Sequence, residues 1–220
     1  MSNSVSKTAT YIYLHGFASS PLSSKAQYFR KCFLEKQIDL KIPDLNQDDF
    51  SHLTLTRQLQ QIETEFQSQS STPRVLIGSS FGGLTAAWLA QRQFKVNQLI
   101  LLAPAFGFLS HWLPKLGEEK LKQWKSQGEI PVYHYSEKQY LPLSYQFLQD
   151  LSAYDDEELQ QPIPTLILHG KQDEVIPIAA SQNYAAKRPW VQLIELESDH
   201  SLTNVLAEIW QNLQLNLDLF

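Results

Sequence analysis

Arg74-Val75-Leu76-Ile77, running into Gly78-Ser79-Ser80-Phe81-Gly82-Gly83, is the stretch on which the fold reading turns. The apolar run Val75–Ile77 has the length and content of a buried strand. From Gly83 to Gln91 the residues are mostly good helix formers. Between the two lies G-x-S-x-G, with Ser80 at its centre. A strand-to-helix turn this sharp holds its central residue in a strained backbone conformation. The residues two places to either side must then lack bulk, and Gly78 and Gly82 supply that clearance. The N-terminus of the following helix favours negative charge developing at Ser80, and the Phe81 amide becomes one oxyanion donor. Glycine-rich turns without chemistry also exist, and short motifs match by chance. The placement between strand and helix favours Ser80 as a nucleophile. Ser79 is the rival, but the residue two before it is Ile77.

Working outward, the apolar period switches repeatedly, as in alternating strands and helices. Strands are expected at Tyr11–Leu14, Leu40–Ile42, Leu99–Ala103, Thr165–Leu168 and Val191–Ile194, besides Arg74–Ile77. Helices are expected at Ser24–Gln37, Leu53–Phe66, Gly83–Gln91, Ile178–Lys187 and Thr203–Leu213, with a polar loop at Gln67–Thr72. Crossovers of helix length force parallel strands. The expected architecture is α/β: a mostly parallel, doubly wound sheet of about six strands with helices on both faces. The chain of 220 residues reads as one domain. One stretch breaks the rhythm. Residues 107–161 carry Trp112, Trp124, Tyr133, Tyr135, Tyr140, Tyr145 and Phe147. A structureless loop of that length is improbable in a compact domain. An inserted cap with its own short helices, and a strand near Ile130–Tyr135, is expected.

A nucleophilic serine in this setting needs an acid and then a histidine, in that chain order. After the strand ending at Leu168 comes His169-Gly170-Lys171-Gln172-Asp173-Glu174-Val175-Ile176-Pro177. After the strand ending at Ile194 come Asp199-His200. Both segments lie at the carboxyl edge of the sheet, where open α/β sheets bind ligands. His200 is the expected general base and acid, and Asp173 the acid that orients it. Glu174 and Asp199 remain alternative acids. Asp173 could also be a plain turn or capping aspartate, and His200 a surface loop histidine.

Composition narrows the partners. Lys and Arg number 18 against 23 Asp and Glu, a formal charge of −5, with no basic cluster suited to nucleic acid. No apolar run approaches the roughly 20 residues of a spanning helix. The N-terminal ten residues are polar, without the apolar core of a signal peptide. A soluble, cytoplasmic protein is expected. The one cysteine, Cys32, excludes an internal disulfide and a cysteine-based metal site.

Tyr13-Leu14-His15-Gly16-Phe17-Ala18-Ser19-Ser20-Pro21, followed by Lys25-Ala26, resembles the opening of the small YqiA-like esterases of the α/β-hydrolase superfamily. Pro43-Asp44-Leu45, the Gly78–Gly83 turn, His169–Pro177 and Asp199-His200 are similar to that family too. The resemblance covers Tyr11 to about the last helix and is weakest in the cap. It implies a three-layer α/β-hydrolase fold, hydrolysis of a carboxylic ester or thioester of a small to medium acyl group, a cytoplasmic location and no cofactor. It also implies that the Phe17 amide is the second oxyanion donor; such donors are worth about 3–4 kcal/mol each. The chain departs from the shortest members in its long cap and begins too close to Tyr11 for the two extra strands of larger α/β-hydrolases. Hydrolysis of an amide or C–C bond by the same residues, and a non-catalytic binding protein, are the competing readings.

Other residues are assigned more ordinary roles. His15, Gly16, Gly83 and His169 are expected as turn residues, the histidines bonded to backbone. His52 has no companions at metal-ligand spacing. His111 and His134 are expected to be solvated, with substrate contact as the alternative. Trp112 and Tyr135 are candidate pocket residues, although aromatic side chains more often pack. Asp155–Glu158 reads as a solvated helix start.

Overall fold

The computed structural model describes residues 9–66, 72–92, 94–217 and 219. Most of the expected Gln67–Thr72 loop and of the polar N-terminus lies outside them. Among the described residues, six strands form one parallel sheet in the order β2-β1-β3-β4-β7-β8. They are β1 (Thr10–Leu14), β2 (Leu40–Lys41), β3 (Arg74–Ser79), β4 (Val96–Leu102), β7 (Thr165–Gly170) and β8 (Val191–Leu196). Their register runs Tyr13 to Ile77, Ile77 to Ile100, Ile100 to Leu166. The crossover helices are α1 (Ser24–Glu35), α2 (Leu55–Glu65), α3 (Phe81–Gln91) and α7 (Ile178–Ala186), and α8 (Leu206–Asn216) follows the last strand.

Strand side chains alternate between faces, which splits the core in two. Tyr11, Tyr13, Val75 and Ile77 pack with Phe29 and Phe33 of α1 and Ile209 and Leu213 of α8. Ile12, Leu14 and Leu76 face the opposite layer, with Leu59 and Ile62 of α2 and Leu84 of α3. Each fully buried side chain of this size contributes about 1.5–3 kcal/mol of hydrophobic transfer. Helix α3 is buried from Phe81 to Ala90, the pattern of a helix covered on every side.

Part of that cover is residues 107–161. They fold as α4 (Phe108–Leu116), α5 (Glu118–Gln127), an antiparallel hairpin of β5 (Glu129–His134) and β6 (Gln139–Ser144), and α6 (Gln146–Leu151), followed by a 3₁₀ turn at Asp156–Glu158. Trp124 is fully buried there, and its Nε1 donates to the Leu143 carbonyl at 2.8 Å. Buried Arg188 ties the end of the segment to α7. It donates to the carbonyls of Leu159 (2.8 Å) and Tyr184 (3.0 Å).

Some element ends differ from expectation. Strand β4 starts at Val96 rather than Leu99. The expected helix Thr203–Leu213 divides into a 3₁₀ turn, Thr203–Val205, and α8. Leu202, just before that turn, has φ 57°. Among the described residues, no helix is long and apolar enough to cross a membrane.

The turn after β3 admits no side chain at two points. A Cβ on Gly78 would overlap the backbone of Gly82 and Gly83, and one on Gly82 the carbonyls of Leu14 and His15. Gly128, by contrast, has a positive φ, 82°, and open space around it. Gly78→Ala is therefore expected to lower unfolding stability by roughly 3 kcal/mol or more, against about 1 kcal/mol for Gly128→Ala. Urea titration distinguishes them, and equal losses would contradict the packing described.

Candidate active site

Ser80 sits between β3 and α3 with φ 53° and ψ −118°. Four backbone hydrogen bonds hold this unfavourable conformation. The Ser80 amide donates to Leu102 (2.8 Å), and its carbonyl accepts from Gly83 (2.8 Å), Leu84 (3.2 Å) and Ala105 (3.0 Å). The side chain is thereby thrust up from the turn, half-exposed, while Ser79 is buried below. Gly16 lies against it: a Cβ there would stand 3.3 Å from Ser80 Cβ. The chain after β1 thus brings Phe17 alongside Ser80. Phe81 opens α3, so its amide has no intrahelical acceptor.

His200 arrives from the loop after β8. Its Nε2 is 3.0 Å from Ser80 Oγ and its Nδ1 is 2.7 Å from Asp173 Oδ2. Gly170 makes the approach possible, because a Cβ there would overlap the carbonyls of Ser198 and Asp199. This glycine was not singled out by sequence, although a glycine closing a strand before a functional loop is a usable signal. The side chain of Asp173 is fully buried. Its Oδ1 accepts from the amides of Val175 and Ile176, each at 2.8 Å. Its Oδ2 also faces Nε2 of buried His169 at 3.0 Å. Burial alone would push this carboxyl up. The hydrogen bonds from His169 and His200, the His200 charge and the Ile176 amide together outweigh it and hold the group well below the usual carboxylate range. The alternative acids lie elsewhere: Glu174 is exposed, and Asp199 is exposed and bonded to Ser201.

Other groups bear on this charge. Lys25, half-buried on α1, has its ammonium pushed down to about 8 by desolvation, against the pull of Asp173 and Asp199. Burial lowers His111 on α4, assisted by Lys115 and opposed by Asp173. Lys115 Nζ in turn donates to the carbonyls of Glu174 and Val175 in the Asp173 turn.

His15 is a buried bridge between loops: its Nδ1 is 3.0 Å from the Gly16 carbonyl, and its Nε2 accepts from the Leu45 amide at 2.9 Å. That contact gives Pro43-Asp44-Leu45 its place next to the first loop. His134 is not solvated as expected. It is buried edge-on against Phe50, because the hairpin packs onto the 3₁₀ turn Phe50–His52. Tyr135 is 72% exposed and its ring lies against Tyr133; its amide donates to the Ala18 carbonyl at 2.9 Å. Trp112 belongs to an aromatic cluster with Phe17, Phe108, Trp124 and Phe147. Phe17 and Phe81 also touch within it. This cluster packs against the rings of Phe17 and Phe81. A cavity of about 660 Å³ opens next to it, lined by Leu84, Phe106, Phe108, His111, Tyr184 and Arg188 among others, but not by Ser80, Asp173 or His200.

The profile of an uncharacterised protein family, UPF0227, matches residues 10–216. Solved structures share the fold at low identity. Alpha/beta hydrolase domain-containing protein 10 from mouse is 21% identical, with a TM-score of 0.78 over 96% of this chain and 90% of that one. Est1E from Butyrivibrio proteoclasticus with ferulic acid bound is 18% identical, with a TM-score of 0.82 over 96% and 89%. A monoacylglycerol lipase from Paleococcus ferrophilus is 15% identical, with a TM-score of 0.73 over 95% of each chain. The sheet and its flanking helices are those of the α/β-hydrolase fold.

The depressed Asp173 carboxyl carries a pH signature. A group whose folded-state pKa is lowered contributes stability above its unfolded value, about 3.9, and loses it as pH falls toward the folded one. Asp173→Asn is expected to be roughly 1–3 kcal/mol less stable than wild type at neutral pH. The gap should narrow below about pH 4. Urea midpoints across that range check it, and a constant gap would contradict it.

Proposed function

The chain belongs to UPF0227, the YqiA-like family of α/β-hydrolases, and on that premise we propose that it is a serine hydrolase cleaving carboxylic esters or thioesters of small to medium acyl groups. The observation that carries the reading is the continuous chain Ser80 Oγ, His200 Nε2, His200 Nδ1, Asp173 Oδ2, with separations of 3.0 and 2.7 Å. Both lie within the reach that proton transfer requires.

Ser80 Oγ attacks the acyl carbonyl carbon while its proton passes to His200 Nε2. Asp173 accepts from Nδ1–H, keeps that tautomer and stabilises the imidazolium. The carbonyl oxygen becomes an oxyanion between the Phe81 and Phe17 amides. On collapse, the C–O or C–S bond breaks and the imidazolium protonates the leaving alkoxide or thiolate. Water then attacks the acyl-enzyme, His200 takes its proton, and the acid leaves as Ser80 Oγ is reprotonated.

Two features favour apolar acyl groups. Residues 107–161 act as a cap over the site, and their aromatic cluster lies against Phe17 and Phe81. Est1E, which shares the fold, was solved with ferulic acid bound, in line with an ester substrate here. The single cysteine, Cys32, accords with a cytoplasmic setting.

A chain-length series of p-nitrophenyl esters tests this. Wild type should turn over some of them, with a rate that falls on the acid side as His200 takes up a proton. Ser80→Ala should lose roughly 10³-fold or more while its circular dichroism is unchanged. A Ser80→Ala variant turning over at the wild-type rate would sink the assignment.

A further inference from the structure

His169 has no part in these proton transfers, yet both of its ring nitrogens are engaged. Its ring is fully buried at the end of β7. Nε2 lies 3.0 Å from Asp173 Oδ2 and 3.0 Å from the Ile176 carbonyl. Two acceptors around one ring nitrogen require that nitrogen to carry the hydrogen. On the other side, Nδ1 is 2.8 Å from the hydroxyl of Ser181, a buried residue of α7. Asp173 Oδ1 is occupied by two amides. Oδ2 therefore faces two imidazoles at once, His169 and His200.

We propose that His169 is a positioning residue of the hydrolytic site: its Nε2–H, braced by the Ser181 hydroxyl, donates to Asp173 Oδ2 and limits how strongly that oxygen holds a proton on His200. This rests on the assignment of Asp173 as the orienting acid. The physical need is clear. A buried carboxylate whose remaining oxygen answered to His200 alone would stabilise the imidazolium strongly. The base would then stay protonated at the pH where Ser80 needs it free. A second donor on the same oxygen takes up part of its charge. It also fixes the carboxylate against rotation about its last bond.

The other charges facing this group are Lys25 from α1, His111 and Lys115 from α4 and Asp199 beside His200. All stay in place when His169 is changed, so a difference between variants reports on His169.

The test compares His169→Phe, which keeps a ring but no donor, with His169→Gln, whose amide can reach the same oxygen. The kcat/KM for a p-nitrophenyl ester is followed across the acid limb. His169→Phe should move that limb to higher pH by about 0.5–1 unit, and His169→Gln should return it toward wild type. Ser181→Ala, which leaves the ring in place, should move it the same way by less. Limbs coincident in all four proteins would overturn the proposal, even if every variant were slower, since a ring that merely packs would lower rates without moving the profile. ¹⁵N-histidine NMR of the wild-type protein supplies a readout independent of turnover. A hydrogen on Nε2 of His169 is expected, and one on Nδ1 alone would overturn the proposal. Wild type inert to every ester would instead strike at the hydrolase reading, with the NMR signature still deciding the hydrogen bond.

Discussion

The positive φ of Ser80 is the constraint around which the molecule is arranged. A serine in that conformation costs about 1–3 kcal/mol relative to a relaxed one, and it persists because its surroundings leave no alternative. Four backbone hydrogen bonds pin the residue. Two of them come from outside its own turn: Leu102 at the end of β4 and Ala105 just beyond it. Gly78 and Gly82 let the strand, the helix and the end of β1 approach without side chains between them. The parallel sheet supplies the rigidity, and the loops at its carboxyl edge supply the partners. Gly16 brings the Phe17 segment alongside Ser80, and Gly170 lets the loop carrying His200 cross the end of β7.

The electrostatics follow from the same crowding. Asp173 is buried, and a buried carboxylate is tolerable only when its lone pairs are satisfied. Two amides and two imidazoles meet that need. The group stays charged at any pH where an imidazole could act as a base. Aromatic side chains from residues 107–161, among them Phe108, Trp112 and Phe147, pack against Phe17 and Phe81, so the segment that departs most from the sheet's rhythm is tied to the two loops next to Ser80.

The fold was legible because buried parallel strands read as near-continuous apolar runs. Val75–Ile77, Leu99–Leu102 and Thr165–Leu168 needed little more than inspection. Hairpin strand β6 was not legible, since Gln139-Tyr140-Leu141-Pro142-Leu143-Ser144 mixes polar residues with a proline. In the structure Pro142 faces Pro131 across the hairpin, where a free edge tolerates a missing amide. Spacing along the chain brought Asp173, Glu174 and Asp199 all to the correct edge of the sheet. Only side-chain direction separates them, and direction is set by the amides of Val175 and Ile176, which no periodicity reveals. His169 illustrates the same limit. A histidine before a glycine at a strand end reads as a turn residue bonded to backbone, and it does meet the Ile176 carbonyl. Its contact with Asp173 depends on how the next four residues fold back. His134 was misjudged as solvated because burial under a hairpin depends on where the hairpin docks.

The most direct measurement of the central claim is covalent labelling with a fluorophosphonate, followed by peptide mapping. The reagent phosphonylates a serine whose hydroxyl is activated by a neighbouring base. The account predicts about one label per chain, carried by Ser80, with the reaction slowed severely in His200→Ala although Ser80 is still present. Label on Ser79 or on another serine, or equal labelling of wild type and His200→Ala, would contradict it.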